Sequence, residues 1–162
     1  MPNTKAVGVA YADPEFESVT VSGAATLSGA VTAASVTVTG AVTATSIAAS
    51  NDLGYTAAAQ GTVTQLTSKS TAVTLNKPAG VITMNNASLA TATNATFTLN
   101  NSLISANDTV ILTISGGQAT PGSYNVFANA LSAGSVSITL RNISGGSLSE
   151  AIVINFALIH CA

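Results

Sequence analysis

Valine and threonine alternate through residues 18–50, and the alternation comes in repeats. Ser18-Val19-Thr20-Val21-Ser22-Gly23-Ala24 returns 17 residues later as Ser35-Val36-Thr37-Val38-Thr39-Gly40-Ala41. Gly29-Ala30-Val31-Thr32-Ala33-Ala34-Ser35 returns after 11 residues as Gly40-Ala41-Val42-Thr43-Ala44-Thr45-Ser46. A period of two, with many β-branched side chains, predicts extended backbone, because branching at Cβ crowds a helix. No aromatic lies between Phe16 and Tyr55, so nothing in this stretch could fill a wide core. Repeats of this kind cannot bury an apolar face alone and must stack on neighbours. One chain supplies only two or three rungs of a solenoid, whereas three copies winding together would cover Val19, Val21, Leu27, Val31, Val36, Val38, Val42 and Ile47 of each. The expectation is an intertwined trimeric β-stalk, β-helix-like in character. A single-chain solenoid and a flexible linker are the alternatives, and a linker has no use for aliphatic residues at regular places.

The pattern changes on both sides of the repeat. Residues 1–17 hold Asp13, Glu15 and Glu17, half of all the acids, beside Tyr11 and Phe16. A frayed, solvated terminus is one reading. The other is an anchoring arm whose two aromatics and carboxylates dock on a partner. Residues 51–68 break the alternation, and Ala57-Ala58-Ala59-Gln60 between Gly54 and Gly61 predicts a short helical turn in a hinge. From residue 69 to 162, strand-like runs at 71–76, 80–85, 95–100, 109–115, 123–129, 135–142 and 151–159 are separated by Gly, Asn, Ser and Pro. Val110, Leu112 and Ile114 share one face of their run, as do Val136, Ile138 and Leu140, and Ile152, Ile154, Phe156 and Leu158. Seven such runs predict an all-β head, an antiparallel sandwich or jelly-roll-like barrel. The last run is apolar on both faces apart from Asn155, which calls for cover on both sides, most simply from another subunit.

Charge narrows the function classes. Only 10 of the 162 residues are charged, 6% against about 25% in an ordinary soluble domain, and the net charge is -2. Four basic residues cannot supply the phosphate contacts that drive nucleic-acid binding, so no nucleic-acid partner is expected. Long uncharged stretches exist, but their apolar residues alternate with Thr, Ser, Asn and Gly, so no membrane span is expected. No signal peptide is expected either, since Asp13-Pro14 stops the apolar run 6–12 after seven residues. A single cysteine offers no internal disulfide and no zinc cluster.

Candidate chemistry is sparse, and the expectation is no enzyme, no catalytic or metal-binding residues and no cofactor. His160 and Cys161 stand side by side, lack a third member, and as adjacent strand residues point apart. Asp108 and Glu150 border strand runs, where they are expected to cap turns. Arg141, the one arginine, is a candidate to pair with Glu150 or with an acid of a neighbouring chain; otherwise it is a solvated charge. Gly116-Gly117 and Gly145-Gly146 have no following Lys or helix and are turns, not phosphate cradles. Thr-x-Thr ranks such as Thr37-Val38-Thr39 resemble those of ice-binding solenoids, but the irregular repeat spacing spoils the flat array such proteins need.

Three segments carry a resemblance. Ser68-Lys69-Ser70-Thr71-Ala72-Val73-Thr74-Leu75-Asn76-Lys77-Pro78-Ala79-Gly80-Val81-Ile82-Thr83-Met84 resembles a segment of small structural proteins of tailed bacteriophages. Arg141-Asn142-Ile143-Ser144-Gly145-Gly146-Ser147-Leu148-Ser149-Glu150-Ala151-Ile152-Val153-Ile154-Asn155-Phe156-Ala157 is similar to the same group, as is Ala6-Val7-Gly8-Val9-Ala10-Tyr11-Ala12-Asp13-Pro14-Glu15-Phe16 ahead of a Val/Thr/Ser/Gly repeat. The resemblance implies a virion component on the outer capsid surface, a homotrimeric decoration (cement) protein or head fibre. Its N-terminal part, here Tyr11, Asp13, Glu15, Phe16 and Glu17, would bind the major capsid protein, and its β-domain would face outward. A tail fibre touching a host-surface glycan through the head loops is the rival that the same resemblance allows.

Overall fold

The structure, a computed structural model of the single chain, describes residues 20–161. The chain divides into two units, Met1–Ala48 and Ala49–Ala162. In the first, the described residues form no strand and no helix, and the side chains from Thr20 onward are exposed. Among the described residues, no backbone–backbone hydrogen bond is made by any residue from 20 to 55. The alternating pattern there is thus not converted into pairing within one chain.

The second unit is all-β, two four-stranded sheets around one apolar core. After a 3₁₀ turn at Ala57–Ala59 come β1 (Gln60–Thr64), β2 (Val73–Thr74), β3 (Ala79–Thr83), β4 (Asn94–Asn100), β5 (Thr109–Gly116), β6 (Tyr124–Ser132), β7 (Ser135–Asn142) and β8 (Val153–Ile159). One sheet has the order β1-β3-β8-β5 and the other β2-β4-β7-β6. The predicted alternation fixes what each strand buries. Ile154, Phe156 and Leu158 of β8 meet Val136, Ile138 and Leu140 of β7 in a core that also holds Ile82, Phe97 and Leu99, all at most 3% exposed.

The structure corrects the sequence reading in three places. Residues 60–64, expected in the hinge of 51–68, form β1, which pairs with β3. The run 71–76 contributes only the two-residue β2. The sandwich is not wholly antiparallel, since β1 runs parallel to β3 and β2 parallel to β4. The first four strands alternate between the sheets, so each strand returns to its own sheet running in the same direction, with the opposite sheet serving as the crossover. Periodicity reveals that a run is extended but not which strand it pairs with.

Close approach explains β1. Gly61 and Gly80 are register partners, and a Cβ on Gly80 would lie 2.6 Å from the Gly61 carbonyl oxygen and 2.8 Å from Leu75 Cδ2. The paired glycines leave room for Leu75 to pack against the core. Buried amides fasten the loops. Asn142 Nδ2 donates to the carbonyls of Leu89 (2.9 Å) and Gly146 (2.8 Å), and Gln65 Nε2 to those of Lys69 (3.1 Å) and Thr71 (2.8 Å). Each satisfies groups that would otherwise be costly to bury.

Candidate functional site

The residues expected to matter fall in three places. Tyr11, Asp13, Glu15, Phe16, Glu17 and Val19 lie outside the described residues. The remaining interface candidates form an exposed aliphatic series, with Val21, Leu27, Val31, Val36, Val38, Val42 and Ile47 between 53% and 73% exposed. A folded chain scatters apolar residues over its surface singly, but a run of them at repeat positions marks a surface that wants covering.

In the β unit, His160 and Cys161 lie just past β8 and not in a strand as expected, and there His160 gains a partner. His160 Nδ1 lies 2.9 Å from Asp108 Oδ2. Asp108 accepts the backbone N–H of Ser105 at 2.8 Å, as expected of a turn cap, and that of Cys161 at 3.3 Å. The Ser105 N–H is the main reason its carboxyl titrates below the ordinary range; burial opposes the shift, and the His160 and Cys161 contacts reinforce it. The carboxylate is only 1% exposed and its oxygens are taken up by these donors, so it pins the chain end; the imidazole is 56% exposed. Asp108 also borders a cleft of about 380 Å³ between β5 and β6, lined by Val110, Ala128, Asn129 and Leu131 among others. No group of three His, Cys, Asp or Glu side chains able to hold a metal converges among the described residues.

A second cluster was missed because its members are far apart in sequence. Lys69, 3% exposed, donates through Nζ to the carbonyls of Asn85 (2.6 Å) and Glu150 (2.5 Å). Burial lowers its pKa, and the Glu150 carboxylate partly offsets this. Glu150 Oε1 accepts the Ala119 N–H at 2.6 Å and holds the loop ahead of β6. Tyr124 is buried beside Glu150, and burial first, then that carboxylate, push its phenol up to about 12. These contacts knit loops together and present no exposed reactive group.

Arg141 does not meet Glu150. Its Nη1 reaches Asn94 Oδ1 at 3.4 Å, and among the described residues it has no carboxylate partner. Both sheets turn an outward face to solvent. On the β1-β3-β8-β5 sheet the outward positions include Val81, Val153, Ala157, Ile111 and Ile159, with no charged residue among them. Leu53, Gly54 and Tyr55 line a groove of about 480 Å³ with Ala157, Leu158, Ile159 and His160, and the Tyr55 hydroxyl donates to the Leu158 carbonyl. Among the described residues, no helix is long and apolar enough to cross a membrane. Comparison with known protein families, with curated proteins and with solved structures finds no match to this chain in any of the three.

Proposed function

We propose that this chain is a structural subunit of a tailed-phage virion, a homotrimeric capsid decoration protein or head fibre. The observation that carries the reading is the uncovered aliphatic series of residues 21–47, which makes no backbone pairing of its own. Three copies wound together supply the missing cover and the missing backbone partners, giving a stalk. Burying such side chains contributes about 25 cal/mol per Å² of apolar surface, less the cost of ordering the segment. The uncharged outer face of the β1-β3-β8-β5 sheet supports the same assembly, since the half-covered β8 has Ile159 50% exposed beside Ile111 at 47%. The low charge suits a permanent assembly, in which desolvated ions are costly.

In this reading the arm 1–17 reaches the major capsid protein through Tyr11, Phe16 and the three carboxylates, and the jelly-roll-like head faces outward. The trimer ties neighbouring capsid subunits together against the pressure of packaged DNA. Deleting residues 1–17 is expected to abolish attachment to purified shells, scored by sedimentation, while light scattering still reports three times the mass of the shortened chain. A truncated chain that still decorates shells removes the anchoring role; an intact chain that scatters as a single copy removes the trimer.

A further inference from the structure

The outward face of the β2-β4-β7-β6 sheet differs in kind from that of its partner sheet. Strand register sets Asn94, Arg141 and Asn125 in one row across β4, β7 and β6, and Thr96, Thr139 and Phe127 in the next. Thr139, 2% exposed, is covered by its neighbours and joins its hydroxyl to that of Thr96 at 2.7 Å, and Phe127, 40% exposed, is the one ring on these two rows. Neighbouring strands stand about 4.8 Å apart, and same-face residues about 7 Å apart along a strand. The exposed residues of the two rows, Asn94, Thr96, Asn125, Phe127 and Arg141, therefore surround the covered Thr139 in a plot about 10 Å by 7 Å, the size of one or two sugar rings.

We propose that this plot binds a saccharide carrying a carboxylate, that is, a uronic-acid unit. Three chemistries meet there. Arg141 stands on an inner strand, and among the described residues its one side-chain hydrogen bond is the long one to Asn94. Its fork of N–H donors matches a carboxylate bidentately, which a point charge cannot do. Asn94 and Asn125, exposed on either side, each offer an amide that can both donate to and accept from ring hydroxyls. Phe127, 40% exposed, offers an aromatic ring against which the apolar C–H side of a sugar can lie. Neither row contains a carboxylate that would compete for the arginine or repel the ligand. One cation within the two rows, on a chain of net charge -2, suits a single carboxylate and not a polyphosphate. The proposal requires neither the trimer nor a place on the capsid, so it can fail without them.

The test is saturation-transfer NMR titration of the full chain with trigalacturonate, and with neutral galactotriose as control. The uronate is expected to bind in the millimolar range and at least about tenfold more tightly than the neutral sugar, a tenfold change being 1.4 kcal/mol. Arg141→Gln is expected to remove that preference and leave the weak neutral binding unchanged. Arg141→Lys should restore only part of it, because the charge returns without the fork. Phe127→Ala should weaken both ligands. Three results would overturn the proposal: no transfer from either sugar at about 20 mM, well above the expected Kd; equal binding of charged and neutral sugars; or a uronate affinity indifferent to Arg141→Gln.

Discussion

Gly117 and Gly122 share a left-handed φ of 82°, but only one is crowded. A Cβ at Gly122 would meet nothing within 4 Å, whereas at Gly117 it would lie 2.0 Å from the Ala151 carbonyl oxygen. Backbone strain alone costs an alanine about 1 kcal/mol in this region, and Ala92, at φ 56°, already bears such strain. Gly122→Ala is therefore expected to lower stability by about 1 kcal/mol, and Gly117→Ala by about 3 kcal/mol or more, because backbone must also move. Urea midpoints of the two variants measure the difference; equal losses would show that the loop, not the contact with residue 151, sets the cost. Gly117 reads as a turn signal in the sequence. What was not legible is that it is also a packing residue, since its neighbour lies more than thirty positions away.

At the scale of elements, the strands that alternate cleanly were legible almost to the residue. β7 spans the 135–142 of the expectation, and β5 and β8 differ from theirs by one or two positions. β1 was not legible because Gln60-Gly61-Thr62-Val63-Thr64 half-buries only a glycine and a valine, so its strand character comes from pairing and not from side chains. The candidate site fared likewise. His160 and Asp108 were each singled out but not their pairing, because Asp108 comes beside His160 only through the pairing of β5 with β8, where Thr109 faces Ile159. The Asp108 carboxyl, held low mainly by the Ser105 N–H and further by His160 and Cys161, carries a pH signature. A carboxyl whose folded pKa lies below its unfolded value adds stability that is present above about pH 4 and is lost as pH falls through the folded value. The chain should lose more stability between neutral and strongly acid pH than the Asp108→Asn variant does. Thermal melts at several pH values decide this, and parallel acid profiles would mean that Asp108 is not the group responsible.

For the whole molecule, the expected assembly has a physical character that its sequence dictates. Only 10 residues are charged, and the exposed series from Val21 to Ile47 is aliphatic, so the force joining three copies has to be apolar. Ionic contacts weaken as salt rises from about 0.1 M to about 1 M, where the screening length falls from ~10 Å to ~3 Å. Apolar burial does not weaken with salt, but it does weaken on cooling, because its driving force near room temperature is entropic. The mass in solution should therefore remain three times 15.9 kDa in high salt, and dissociation on dilution should be easier near 4 °C than at 25 °C. Placing charge within the series by Val31→Lys together with Val38→Lys should give the single-chain mass at every salt concentration, since buried ammonium groups without partners are not tolerated. The exposed lysines would leave the β unit intact, because its core lies wholly within residues 73–158. Sedimentation across this grid of salt, temperature and substitution separates the cases: a trimer dispersed by salt would rest on the few ion pairs this chain can make, and one that survives both lysines would be joined somewhere other than the repeat.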